Sequence, residues 1–329
     1  LIGMSDFWNL PDGVEEIVPP LSTNLEKTKT DLLDYFQSKG FDLIFTPLVE
    51  YSDSIGGLAN EELSRSSFQF SDTNSERSLA LRPDISQQVA RIDRRFLTER
   101  NKKYCYYGEV TKKPLGSFTK AISTMKVGLE IFYDSETGVK EDIFNALSGT
   151  LKKLGLKDYV LTIGDISILD EILDKLRFPS DKRNKLKGIL SSRSKSDLSE
   201  FLRQEGKGLR TFTILSNLLD IIGDYEQEFR NLNLICKELK IDPKKVKSIK
   251  QSFDILKNNK IKNVLIDMVD FPGYSYHSGI VFSIFQPKTG VPLINGGQYK
   301  TPFSKANKKE RKGMGFDIDL ISILKLQIK

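Results

Sequence analysis

The sequence predicts an α+β fold, a mainly antiparallel sheet with flanking helices that is interrupted by an inserted helical stretch. Three observations predict it. Short alternating apolar–polar runs recur between Phe41 and Tyr133 and resume at Val264. Between about Leu176 and Asn259 strand signals nearly vanish and helical start and stop residues take over. The 329 residues, 39% of them hydrophobic, suffice for one large domain or one domain with an insert.

The elements follow in order. Thr23-Asn24-Leu25-Glu26 has the form of a capping box, and Leu25, Leu32, Leu33 and Phe36 continue at helical spacing to a stop at Gly40. Phe41, Leu43 and Phe45 then alternate with Asp42 and Ile44, a strand that ends at Pro47. Ser67 to Leu81 reads as two strands around a turn at Asp72-Thr73-Asn74-Ser75. Pro83-Asp84 opens a helix to Phe96. Strands follow at Tyr104–Glu109 and Lys126–Tyr133, joined by a lysine-bearing loop with Pro114 and Gly116. Val139 to Leu154 is an amphipathic helix ending at Gly155.

In the helical stretch, Phe178-Pro179-Ser180 opens one helix. Ile241-Asp242-Pro243 opens another, with aspartate as cap and proline in the first turn. Ser191 to Ser199 is a polar break. Strands return at Val264–Asp267, Gly279–Gln286 and Val291–Ile294, and a helix from about Asp319 to Gln327 closes the chain. The expected division is 4–175 with 260–329 as one domain and 176–259 as the helical insert.

Composition narrows the function. Net charge is +6 and the isoelectric point about 9.0, but Lys and Arg are interleaved with Asp and Glu. The densest runs, Lys244-Lys245-Val246-Lys247 and Lys308-Lys309-Glu310-Arg311-Lys312, read as solvated surface rather than a nucleic-acid groove. Cys105 and Cys236 lack metal-ligand spacing and read as buried reduced thiols. His277 is the single histidine, too few soft ligands for a zinc site. No apolar run reaches membrane-spanning length, and Leu1 to Gly13 lacks the form of a signal peptide. Met4 is the expected natural start, and the expected location is cytoplasmic, with no membrane partner.

Several chemistries have no motif here. There is no Gly-x-x-x-x-Gly-Lys-Ser/Thr phosphate loop. Asp267-Met268-Val269-Asp270 comes nearest to a phosphoribosyl-pyrophosphate loop, but Phe271-Pro272-Gly273 follows without the needed hydroxyl. A serine–histidine–acid hydrolase has nothing to rest on.

Four motifs recur in a fixed order: Leu81-Arg82-Pro83-Asp84, Gly128-Leu129-Glu130, Gly273-Tyr274-Ser275-Tyr276 and Gly296-Gly297-Gln298-Tyr299. Gly315-Phe316-Asp317-Ile318 follows. Taken alone, each has a plain reading. Glu130 could be a surface carboxylate, Arg82 a surface ion-pair residue, Tyr274 and Tyr276 strand aromatics, and Gly296-Gly297 a tight turn or close backbone approach. In this order they resemble the histidyl-tRNA synthetase family over nearly the whole chain, with Gly315-Phe316-Asp317-Ile318 at the start of its last helix.

The resemblance implies a class II synthetase-like sheet, with the first helix and strand building a homodimer interface. It places the family's three ATP-gripping arginines at Val110, Pro272 and Ser322. A guanidinium grips phosphate bidentately, and none of these side chains can. Asp317 and Asp319 would further oppose a triphosphate. The resemblance also implies a surviving histidine pocket. Asp84 and Ser86 would hold the α-ammonium, Glu130 and Tyr276 the imidazole, and Lys126 or another subunit the carboxylate. His277 replaces the family's second tyrosine. No counterpart of the anticodon-binding domain is expected.

A histidine-binding fold without activating chemistry is similar to the regulatory subunits of ATP phosphoribosyltransferase. The resemblance then implies no catalytic residues, no cofactor and no metal. It implies a catalytic-subunit partner, L-histidine as effector, and a homodimer within a hetero-oligomer, a hetero-octamer. Two rival expectations are a truncated synthetase paralogue that activates an amino acid and a tRNA-binding module.

Overall fold

The computed structural model describes residues 9–56, 61–73, 76–95, 101–113, 121–269, 277–301 and 311–328. Helix α1 (Leu21–Ser38) buries Leu32, Leu33 and Phe36, as the periodicity requires. It starts earlier than expected. Pro20 is its N-cap, no side chain caps it, and Thr23 and Glu26 lie inside the helix. Prolines without N–H groups suit a helix entrance, so the capping-box pattern is not used. Gly40 (φ +83°) turns the chain out of the helix into β1 (Asp42–Ile44).

A small antiparallel sheet follows, in the order β2 (Val49–Tyr51), β4 (Ser78–Leu81), β3 (Gln69–Ser71). The β3–β4 hairpin is the expected pair; Asn74 and Ser75 of its turn lie outside the described residues. Strand β2 and helices α2 (Ser52–Gly56) and α3 (Glu61–Ser66) are too short to carry periodicity and were not expected. Helix α4 runs Ser86–Arg95, two residues after the expected start. Strands β5 (Lys102–Thr111) and β6 (Ser123–Tyr133) and helix α5 (Val139–Lys153) match their expected places; Pro114 and Gly116 lie outside the described residues.

Strand β7 (Val160–Asp165) and helix α6 (Ile166–Lys175) lead into five helices. These are α7 (Ser180–Ser191), α8 (Lys195–Gln204), α9 (Leu209–Leu219), α10 (Tyr225–Leu239) and α11 (Pro243–Asn258). Between α9 and α10 lies a short strand, β8 (Ile222–Asp224). Asp242 caps α11 as expected, accepting from Lys244 N at 2.9 Å. The polar break is not all loop: Ser194 accepts from Asp197 N and starts α8. Among the described residues, no helix is long and apolar enough to cross a membrane.

The chain returns through β9 (Val264–Asp267), β10 (His277–Phe285), β11 (Pro292–Lys300), β12 (Lys312–Asp319) and α12 (Leu320–Ile328). One expectation is corrected here, and one of two open alternatives is decided. Gly315-Phe316-Asp317-Ile318 lies on β12 and not at the start of a helix. Gly296-Gly297 lies inside β11 and not in a turn. Met314, Phe316 and Ile318 alternate with Gly313, Gly315 and Asp317, the period of a strand.

Among the described residues the main sheet has nine strands, in the order β1-β5-β6-β12-β11-β10-β7-β9-β8. Pairs β1–β5 and β7–β9 are parallel; the others are antiparallel. One face carries the main core, where Val127, Leu129, Ile131, Phe316 and Ile318 meet Leu32, Phe36 and Phe144. Leu186, Leu198, Phe201 and Leu218 of the helical stretch belong to the same continuous core. Cys105 and Cys236 are buried free thiols, each pushed up to about 12 first by burial. The other face carries a smaller cluster, in which Tyr104, Tyr106, Val110, Phe132 and Tyr299 pack under Ile85 and Val89.

Candidate functional site

The candidate site lies on this second face, beneath the start of α4. Strand alternation puts Lys126, Gly128, Glu130 and Phe132 on one side of β6. Register places Glu130 between Tyr104 on β5 and Gly315 on β12. Ser86, first residue of α4, donates from Oγ to Glu130 Oε1 at 2.6 Å. The Tyr299 hydroxyl donates to Glu130 Oε2 at 3.0 Å. The Tyr106 hydroxyl lies 3.4 Å from Ser86 Oγ.

Glu130 is therefore not a surface carboxylate; its exposure is 1%. Burial pushes its carboxyl up to about 8 against the pull of the Ser86 and Tyr299 hydrogen bonds, and the Asp84 and Asp317 charges add to the rise. Burial and the nearby Glu130 charge hold the Tyr106 and Tyr299 phenols well above their ordinary value, so both remain neutral.

Glycines make the floor possible. A Cβ on Gly315 would stand 2.1 Å from both Glu130 Oε2 and Leu129 O. Gly297, paired with Gly315, would drive a Cβ to 2.8 Å from His277 Cδ2 and 2.9 Å from Ile280 O. The two glycines and Glu130 form one row across β11, β12 and β6. Backbone cannot yield as a flexible side chain can, so these positions exclude side chains. Gly296-Gly297 is thus the close backbone approach considered from the sequence.

Charged groups form the rim. Lys126 Nζ pairs with Asp317 Oδ1. Burial alone would lower the Lys126 ammonium, but Asp317 and Asp319 outweigh it and hold the group above its ordinary value. Asp319 Oδ1 accepts from Thr124 Oγ1 at 2.6 Å and from Ser322 N at 3.0 Å. Asp84, 9% exposed, accepts from Ile85 N at 2.8 Å. Its field reaches both Glu130 and Lys126.

Arg82 sets this geometry from behind. It is buried rather than a surface ion-pair residue. It donates from Nε to Glu109 O at 2.7 Å and from Nη1 to Thr46 O at 2.8 Å and Thr46 Oγ1 at 2.7 Å. These bonds tie the Pro83-Asp84 turn to the chain beside β1 and β5. A Cβ at Gly108 would meet Arg82 Nη2 at 1.9 Å.

The structure thus brings Asp84, Ser86, Lys126 and Glu130 together in one cluster. Tyr276 and Pro272 lie outside the described residues. Val110 is 2% exposed and packs in the apolar cluster with Ile85 and Val89. Ser322 lies in the first turn of α12, its N–H bound to Asp319. Acceptors dominate: the acidic groups Asp84, Glu130 and Asp317 meet in the site, and Asp317 already neutralises the Lys126 ammonium. This arrangement suits ammonium and imidazole N–H donors and opposes a phosphate chain.

Tyr106 and Tyr299 were given no role from the sequence, although Tyr299 closes the Gly-Gly-x-Tyr motif. Their signal was polarity on apolar strands, but the meeting of Tyr299 with Glu130 and of Tyr106 with Ser86 depends on pairing between distant segments.

The family model for histidyl-tRNA synthetase matches residues 13–323. The chain is 26% identical over 330 residues to an ATP phosphoribosyltransferase regulatory subunit of Acinetobacter baumannii (strain SDF), covering 97% of this chain and 82% of that protein. A crystal structure of an ATP phosphoribosyltransferase regulatory subunit/histidyl-tRNA synthetase from Bacillus halodurans matches with a TM-score of 0.80 and 21% identity. It covers 97% of this chain and 82% of that one. A chain of the ATP phosphoribosyl transferase complex from Thermotoga maritima matches with a TM-score of 0.67 and 15% identity, covering 90% of this chain and 97% of that one. The α+β, class II synthetase-like fold expected from the sequence is the fold these structures share.

Proposed function

The chain belongs to the histidyl-tRNA synthetase family, and from that premise we propose that it acts as a non-catalytic regulatory subunit of ATP phosphoribosyltransferase. It activates a separate catalytic subunit and carries histidine feedback in the first step of histidine biosynthesis. The observation that carries this reading is Val110. It sits in an apolar cluster, at the position to which the resemblance assigns a synthetase's ATP-gripping arginine. Removing one partner of a buried charge pair costs roughly 2–5 kcal/mol. Every 1.36 kcal/mol is about tenfold in rate, so Val110 and Ser322 together leave little adenylate chemistry.

Asp84 and Ser86 would receive the α-ammonium of L-histidine, and Glu130 with Tyr276 its imidazole. Glu130 has lone pairs beyond those that Ser86 and Tyr299 occupy, so an imidazole N–H can join them. The ligand carboxylate would share Lys126 with Asp317 or meet a cation from another subunit. The working assembly is a homodimer within a hetero-octamer in the cytoplasm, and residues 176–259 form its helical insert. No cofactor or metal is invoked.

ATP–pyrophosphate exchange with each amino acid tests the non-catalytic assignment. No turnover above background is expected with any of them, histidine included. Clear exchange with one amino acid would overturn the assignment in favour of an amino-acid-activating paralogue.

A further inference from the structure

The far ends of β6, β11 and β12 carry a second polar site, on the sheet face opposite Glu130. Register sets Lys300 beside Lys312, and Lys312 beside Tyr133. The first turn of α11 adds Lys244 and Lys245 to this cluster. With Ser167, Ser248, Ser278 and Gln298 these residues line a cavity of about 390 Å³. That volume lies in the range of small-ligand sites, roughly 300–1,000 Å³.

Two carboxylates, Glu136 and Asp165, also line the cavity, and both are already engaged, as is the neighbouring Glu171. Glu136 accepts from Lys140 Nζ at 2.9 Å and from Gln298 Nε2 at 3.0 Å. Asp165 caps α6, accepting from Ser167 N at 2.8 Å. Glu171 pairs with Lys245 at 2.8 Å. The starts of α6 and α11 are both capped by aspartates, so the ammoniums rather than the helix ends supply the positive potential. Among the described residues Lys244 makes no ion pair. Ser248 Oγ accepts from Lys140 Nζ at 2.6 Å, which leaves its O–H to donate.

We propose that this cavity binds a small phosphate-bearing anion, with Lys244 and Lys312 on its oxygens and the Ser248 and Ser278 hydroxyls as further donors. Its volume suits a small molecule rather than a polymer. This inference is independent of the histidine pocket and of the regulatory role.

Pyrophosphate titrated into the full chain, followed by phosphorus NMR at about 0.15 M salt to screen loose surface contacts, is the test. Saturable binding is expected, weakened measurably by Lys244→Ala and at least about tenfold by Lys244→Ala with Lys312→Ala, since charge-assisted contacts to phosphate are strong. Lys244 is exposed on a first helical turn, so its single variant keeps the test valid if the double variant misfolds. Lys195→Ala, remote in an exposed pair with Asp220, should leave binding unchanged. Parallel titrations of inorganic phosphate and ribose 5-phosphate distinguish a free anion from an ester, and lysine-dependent binding of either supports the site. No saturable binding, equal affinity in the lysine variants, or equal loss in Lys195→Ala would overturn it.

Discussion

Above pH 8, where the Glu130 carboxyl is ionised, Glu130→Gln is expected to weaken L-histidine binding by about 10- to 100-fold, the loss of a charge-assisted hydrogen bond worth roughly 1.5–3 kcal/mol. Calorimetric titration of both proteins checks it, and unchanged affinity would remove Glu130 from the pocket. The same variant carries a pH signature. The folded Glu130 carboxyl titrates at about 8, above its ordinary 4.5. The native state therefore holds a proton that the unfolded chain releases. That contribution to stability is complete below pH 4.5 and is lost as pH rises through about 8. Within this window the slope approaches about 1.4 kcal/mol per pH unit. Glutamine has no proton to lose, so Glu130→Gln should flatten the slope and gain stability relative to the parent above pH 8. If an ionised Glu130 receives the imidazole, parental histidine affinity should also rise as pH approaches 8, and the variant should lose that rise. Urea unfolding and titration across this range read both effects.

Arg311→Leu is expected to be the most destabilising single change, costing about 3–5 kcal/mol at neutral pH because it strands a buried charge. Arg311 Nε donates to Asp93 Oδ2 at 2.6 Å and Nη2 to Oδ1 at 3.1 Å, with the side chains 3% and 1% exposed. Burial already raises the Asp93 carboxyl while Arg311 pulls it down. Without Arg311 it rises further, so the loss should shrink as acid protonates Asp93. The pair clamps α4 to the sheet and so holds Ser86 over Glu130. A urea midpoint close to the parent's would contradict this role. Replacing both residues with leucine should recover part of the loss, since two apolar side chains leave no stranded charge.

Much of this architecture was legible locally. Asp242-Pro243 named the start of α11, and Leu32, Leu33 and Phe36 named the buried side of α1, because caps and helical spacing are properties of neighbours in sequence. Misreadings arose where a local pattern had a rival. Thr23 and Glu26 fit a capping box, but the prolines before them set the helix start. Met314, Phe316 and Ile318 already showed a strand period, yet the motif Gly315-Phe316-Asp317-Ile318 drew the reading towards a helix. Strands β2 and β8 have three residues each, below the length at which alternation is informative.

The site divides the same way. Asp84, Ser86 and Glu130 follow from the family resemblance and Lys126 from the need to replace a missing arginine, and the structure clusters all four. What the sequence could not show is that Lys126 is held by Asp317, that Tyr299 and Ser86 already engage Glu130, or that Arg82 is a buried anchor. Each of these contacts joins distant segments and depends on sheet register, which no single stretch encodes.

The central claim is that this chain confers regulation on a separate catalyst. The direct measurement is phosphoribosyl transfer to ATP by a short-form catalytic subunit from the same source, with and without this chain, across a histidine titration. The expected result is a complex that switches on transfer, with activity falling as histidine saturates the parent chain and falling much less readily with Glu130→Gln. No complex, no activation, and histidine indifferent to the chain's presence would contradict the account.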